Sequence, residues 1–236
     1  MKLENFKDTF EFKEYVKKNH KHLNTTILSF DEIYSYYENF IEKEIFYMNK
    51  EIDIDLIVGS ENGNWYGNTY LQMIDYAERI DKNIKLFLKN PNYYTNYQKK
   101  YPELTIKIIK GNSIQGFVGE GNHRVLIAKM LKEIQPEFKK IYGVMLTEYK
   151  IDMDLFWHIH NNFNCLKEVE VTRIKDREEI DNIRHIRTIY YKHKIKIIKN
   201  NRLIDEFYFK DNKNKTCKDY LNLFEKLQLR FLKVLF

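Results

Sequence analysis

All eight glycines (59, 63, 67, 111, 116, 119, 121 and 143) and all three prolines (91, 102 and 136) of this 236-residue chain fall between positions 59 and 143. Glycine permits positive φ and close backbone approach to a ligand, so tight loops able to hold chemistry are expected in the middle third. The flanks contain neither residue and are expected to act as support or interaction surface. With 43% hydrophobic and 31% charged residues, the chain can bury one sizeable core or two small ones, which argues against disorder or coiled coil. No apolar run approaches the roughly 18 to 20 residues of a membrane-spanning helix, and Met1 to Asn5 leads into no apolar signal core. A cytoplasmic protein without membrane contact is expected. Cys165 and Cys217 have neither zinc-site nor redox spacing, and both are expected to be reduced.

Periodicity divides the chain. Phe10, Phe12, Tyr15 and Val16, then Ile33, Tyr36, Tyr37, Phe40 and Ile41, follow helical spacing, so residues 1–48 read as a helical segment. Ile52, Ile54, Leu56 and Val58 alternate as a strand running into the loop Gly59 to Gly67. Tyr70, Met73, Ile74, Ala77 and Ile80 mark one helix face, with Asn68 or Thr69 as its cap. Ile84 to Leu88 is a short apolar run. Thr105–Lys110 and Ile114–Val118 read as a hairpin turning at Gly111-Asn112-Ser113. The second strand enters Gly119-Glu120-Gly121-Asn122-His123-Arg124, followed by a helix on which Ile127, Met130, Leu131 and Ile134 share a face. Tyr142–Tyr149 closes an order of roughly β-α-β-β-β-α-β over 49–150. Further on, a helix is expected near 154–164, a strand near 168–174 and a helix near 177–187. A hairpin over about 189–209, turning at Asn200-Asn201, and a last helix carrying Tyr220, Phe224 and Leu227 complete the chain. The whole is an α+β protein with a mixed-sheet core and a basic α+β region over 151–236.

The formal net charge of +6 permits nucleic-acid contact without requiring it. Residues 166–202 hold eleven Lys and Arg against six acids. Within them Lys192, Lys194 and Lys196 alternate with His193 and Ile195, giving a basic stripe beside Tyr190 and Tyr191 that could follow a DNA or RNA backbone. The commoner role of such a stripe is a solvated strand face.

The glycine loop is the place for chemistry. Two glycines allow a tight turn, and the first N–H groups of the following helix have no partner inside it, which makes an anion site. His123 and Arg124 add donors there, and a guanidinium grips phosphate with parallel hydrogen bonds. The alternative is a glycine turn with a packed histidine and a solvated arginine.

The stretch Phe117-Val118-Gly119-Glu120-Gly121-Asn122-His123-Arg124-Val125-Leu126-Ile127-Ala128-Lys129-Met130-Leu131 resembles the signature of the ParB/sulfiredoxin-like superfamily, with a looser likeness over 50–149. Members include CTP-binding partition proteins, sulfiredoxins, free-serine kinases and nucleases. The resemblance implies a ParB/sulfiredoxin-like core. It also implies that Gly119, Gly121, Asn122, His123 and Arg124 contact nucleotide phosphates, with Glu120 closing the loop. Asn122 stands where sulfiredoxins have their reactive cysteine, so thiol chemistry is not expected. His123-Arg124 replaces the arginine pair of partition proteins, the first loop holds Glu61 instead of arginine, and no helix-turn-helix follows. A partition role is disfavoured.

The expected function is therefore nucleotide binding, of ATP or CTP, with hydrolysis or phosphoryl transfer and with Mg²⁺ left open. Arg124 would hold phosphate, His123 would donate a hydrogen bond or act as acid, and Glu61 would be the base. The alternative is a DNA- or RNA-binding module, or a nuclease, using the same loop. Asp53 and Asp55, and His158 with His160, are weaker metal candidates, the histidines reading as part of a buried helix. Oligomeric state and metal ligands stay open.

Overall fold

The computed structural model describes residue 3 and residues 6–91, 104–163, 169–199, 202–213 and 216. The two cysteines, the Asn200-Asn201 turn, the 92–103 connection and the last predicted helix lie outside them. Among the described residues the protein is mixed α+β, with a nine-stranded mixed sheet and six α-helices.

The strands are β1 (Leu28–Ser29), β2 (Ile41–Asp53), β3 (Ile57–Ser60), β4 (Leu104–Lys110), β5 (Ile114–Glu120), β6 (Lys140–Ile151), β7 (Val169–Asp181), β8 (Ile186–Lys199) and β9 (Arg202–Tyr208). Their order is β1-β3-β5-β4-β6-β2-β8-β7, with β9 also paired to β8. The helices are α1 (Thr9–Asn19), α2 (Phe30–Tyr37), α3 (Tyr70–Tyr76), α4 (Ile80–Lys89), α5 (Asn122–Ile134) and α6 (Met153–Asn162).

Alternation sorts the β4 side chains onto two faces. Leu104, Ile106 and Ile108 pack with Val125 and Ala128 of α5, while Ile109 joins Phe30, Phe117 and Tyr149 on the other face. Outside α5, Phe12, Val16, Ile74, Ile84 and Phe87 of α1, α3 and α4 close over Leu126, Ile127, Met130 and Leu131. The glycine-loop helix is thus buried between the sheet and a helical layer, which fixes its first turn.

Several elements differ from the periodicity reading. Residues 41–48, read as helix, belong to β2, which pairs with β6 on one side and β8 on the other. Strand β6 supplies backbone partners along most of β2 and β8 adds them over residues 43–47, which outweighs local helical spacing. The strand read over 52–58 is interrupted by a 3₁₀ turn at Ile54–Leu56, where the Asp53 carboxylate accepts the Asp55 N–H at 2.9 Å. Thr69 caps α3 in a reciprocal capping box with Gln72. That helix stops at Tyr76, and Arg79 at φ +62° starts α4, so Ile80 and the Ile84–Leu88 run are helical. Residues 177–187 are no helix: β7 runs to Asp181 and β8 leaves from Ile186. Cross-strand pairs of Arg187 with Glu178 (2.7 Å) and of the Tyr190 hydroxyl with Glu179 (2.9 Å) suit the ribbon. Among the described residues of 57–151 the order is consequently β-α-α-β-β-α-β.

Candidate functional site

Strands β3 and β5 run parallel, with Gly59 opposite Phe117 and Ser60 opposite Val118. Both predicted loops therefore leave from the same end of the sheet, outside the carboxyl ends of adjacent parallel strands, where open sheets commonly bind ligands. The Glu61 N–H donates to the Val118 carbonyl at 2.9 Å. The Ser60 hydroxyl, 1% exposed, donates to Asn122 Oδ1 at 2.9 Å and accepts the Asn62 N–H at 3.0 Å. Asn122, 9% exposed, spends its side-chain oxygen on fastening one loop to the other. Its backbone N–H remains at the helix start.

Gly121 adopts φ +94°, a conformation that strains any L side chain and so favours glycine, and a Cβ there would press on Leu104 Cδ1 at 2.6 Å. Its carbonyl accepts the N–H groups of Arg124 (2.9 Å) and Val125 (3.2 Å). The N–H groups of Asn122 and His123 have no acceptor inside α5. At Gly119 a Cβ would meet Thr105 Oγ1 at 2.6 Å and Glu61 Oε2 at 2.7 Å. Thr105 Oγ1 accepts the Glu120 N–H at 2.7 Å, and the Glu120 side chain is exposed.

His123 does not face open solvent alone. Its Nε2 hydrogen-bonds the Glu78 carbonyl, and its ring stands edge-on to Trp65 with centroids 5.3 Å apart. This ties the motif loop to the α3–α4 junction and suits a positioning role. Arg124 is half-buried in the first turn of α5. The Glu61 carboxylate pairs with Lys107, whose Nζ lies 4.6 Å from the Phe30 ring centroid. Glu61 and Lys107 enter the site as one neutral unit.

The face carrying Lys107 continues into a polar network. Glu44 accepts hydrogen bonds from Arg173 (3.0 Å) and from the Tyr191 hydroxyl (2.9 Å), and Arg173 also donates to the Tyr34 hydroxyl (2.9 Å). Burial, then the bond to Glu44, pushes the Tyr191 phenol up to about 12. Burial, with the nearby Glu44 and Glu61 charges contributing, pushes Tyr149 up as well. Beside the loop, Thr105 lines a groove of about 390 Å³ together with Phe46, Thr147, Asn182, His185 and Arg187.

The basic stripe is partly spent. Lys192, Lys194 and Lys196 do share a face of β8, opposite the buried His193, Ile195 and Ile197. Lys192 pairs with Asp176 and Lys194 with Glu206, each at 2.7 Å. Asp55 pairs with Lys132, and Asp53 caps the 3₁₀ turn. His158 and His160 lie on α6, where His160 stacks on Phe156 with centroids 4.1 Å apart. Among the described residues no group of three or more His, Cys, Asp or Glu side chains could hold a metal ion. No described helix is long and apolar enough to cross a membrane.

Thr105 and Lys107 are the site residues that pattern reading misses, while Ser60 and Trp65 lie inside the expected Gly59 to Gly67 loop without being singled out. Only Lys107 carried a signal, as a charge alternating with Ile106 and Ile108. Ser60 is one hydroxyl in a polar loop until the partner strand is known.

The Ser60–Asn122 bond yields a measurable coupling. Asn122→Ala is expected to cost about 1 kcal/mol in urea unfolding, Ser60→Ala a similar amount, and the double variant distinctly less than their sum, since each single change strands a buried partner. Strict additivity would show that the bond does not join the loops energetically.

No family model, no curated protein and no solved structure matches this chain.

Proposed function

We propose that the protein is a ParB/sulfiredoxin-like nucleotide-binding enzyme that holds a nucleoside triphosphate, ATP or CTP, at the start of α5 and hydrolyses it or transfers its phosphoryl group. The observation that carries this reading is the first turn of α5, whose Asn122 and His123 N–H groups have no acceptor inside the helix, at the carboxyl ends of two adjacent parallel strands, with Gly121 in the left-handed conformation. The free N–H groups there and the positive end of the helix dipole favour phosphate, and Arg124 supplies the charge. The groove beside Thr105 provides room for the rest of the nucleotide, with Phe46 as an aromatic wall. In this reading the protein acts by positioning and charge neutralisation. His123 orients the loop through Glu78, and Lys107 shares the Glu61 carboxylate beside the phosphates.

The DNA- or RNA-binding alternative draws less support. Two of its three stripe lysines are engaged by carboxylates, which lowers the net charge offered to a phosphate backbone.

Calorimetric titration with ATP and CTP, with and without Mg²⁺, tests the proposal. Arg124→Ala is expected to weaken nucleotide binding by about tenfold, as expected for loss of a charge-assisted contact, and Arg124→Lys to restore part of it. Absence of nucleotide binding, or equal affinity in all three proteins, would remove the proposal.

A further inference from the structure

A second cavity, of about 450 Å³, lies away from the glycine loop, between the segment preceding β1, the start of β3 and α5. Its polar lining is His22, Thr25, Thr26, Asp55 and Lys129, with Ile57 on the apolar wall. The wall is pinned in place. The Glu133 carboxylate accepts the N–H groups of Lys21 (2.8 Å) and His22 (3.0 Å), Thr26 bridges to Thr69, and the Ile27 N–H donates to Asn68 at 2.8 Å. Lys129 reaches in from α5. Its Nζ donates to the Ile54 carbonyl at 3.1 Å and lies 4.5 Å from the Tyr70 ring centroid.

The charged groups around this amine come from every element packed on it. Asp53 and Asp55 stand on the 3₁₀ turn, Lys132 and Glu133 on α5, and Asp55 is itself paired with Lys132. Three acids thus face two lysines, Lys129 included, and the cavity has no net positive field with which to select an anion. Burial pushes the Lys129 amine down to about 8 from an ordinary 10.5, so near neutral pH it has far more uncharged, nucleophilic character than a surface lysine. A partly deprotonated amine among two hydroxyls and an imidazole matches addition to a carbonyl group.

We infer that Lys129 is the reactive amine of a second small-molecule site, which takes a small aldehyde or ketone. The nitrogen lone pair forms a C–N bond to the carbonyl carbon, and the C=O π pair moves to oxygen. A proton passes from nitrogen to that oxygen, and His22 is the lining group able to carry it. Loss of the second nitrogen proton with the oxygen as water leaves a C=N bond, with no oxidant or reductant required. Thr26 is the hydroxyl donor that holds the oxygen, the Thr25 hydroxyl being given to the His22 carbonyl at 3.2 Å.

The test uses the full chain with propanal as probe and cyanoborohydride to trap the C=N bond, read by peptide mass mapping at pH 7.5. Lys129 is expected to be alkylated more than tenfold faster than the exposed Lys82 and Lys85, consistent with its larger free-amine fraction. Its rate should saturate with propanal concentration, and its lead should shrink by pH 10, where surface lysines also lose their protons. Labelling of Lys129 no faster than Lys82 and Lys85, or a rate strictly linear in propanal, would overturn the inference. Neither result bears on the glycine loop, whose own test is nucleotide binding.

Discussion

Gly59→Ala is expected to destabilise the fold by about 3 kcal/mol, the upper range for overpacking a filled core. A Cβ at this position would lie 2.5 Å from the Leu28 carbonyl oxygen and 2.6 Å from Phe117 Cε1. Neither neighbour can yield cheaply. Leu28 is backbone in the β1–β3 pair, directly opposite Gly59, and Phe117 is fully buried. The loss should fall on the site as well, because Ser60 and its bond to Asn122 come next in the chain. Gly63→Ala is the control: its nearest atom would be Tyr66 Oη at 3.5 Å, and its effect should stay within about 0.5 kcal/mol. Denaturant unfolding of the two variants decides it, and equal stabilities would refute the close approach at Gly59.

Lys129→Met is expected to stabilise the protein by about 2 kcal/mol at pH 7. The shift of the amine from 10.5 to about 8 corresponds to roughly 3 kcal/mol at 1.36 kcal/mol per unit, reduced by about 1 kcal/mol for the lost bond to the Ile54 carbonyl. The sign follows from proton counting. Below pH 8 both folded and unfolded lysine are protonated, and the native state bears the full penalty of a buried charge. Between pH 8 and 10.5 the unfolded chain binds more protons, so the stability of the unaltered protein rises with pH. The advantage of the methionine variant is therefore greatest below pH 8 and disappears towards pH 10.5. Urea unfolding at pH 7 and pH 10 measures it; an advantage that does not change with pH would mean that the amine is not desolvated in the native state.

The parts of the fold that could be read unaided are those where one buried face dominates. Alternation in Thr105–Lys110 and the i, i+3, i+4, i+7 spacing from Ile127 to Ile134 describe β4 and α5 because each packs against an apolar layer. Residues 41–48 and 177–187 resist the same reading. Their side chains are rich in Glu, Lys, Arg and Tyr, which serve a helix surface as well as a strand, and distant strands make them extended: β6 and β8 pair with 41–48, and β8 pairs with β7. At the site, Gly121 was legible from its residue type, since little else tolerates a left-handed turn. The engagement of Glu61 by Lys107 and of His123 by Glu78 was not, because the partners lie 46 and 45 positions away.

Strand β2 occupies the middle of the sheet, with β6 along one side and β8 along residues 43–47 of the other. A fragment of this chain limited to 49–150 would lose the first eight residues of β2 and leave the matching edge of β6 without hydrogen-bonding partners, an open template for aggregation. The glycine-loop region is therefore not a cassette that could be transplanted into another polypeptide. Any inheritance of its chemistry has to carry the flanking ribbon with it.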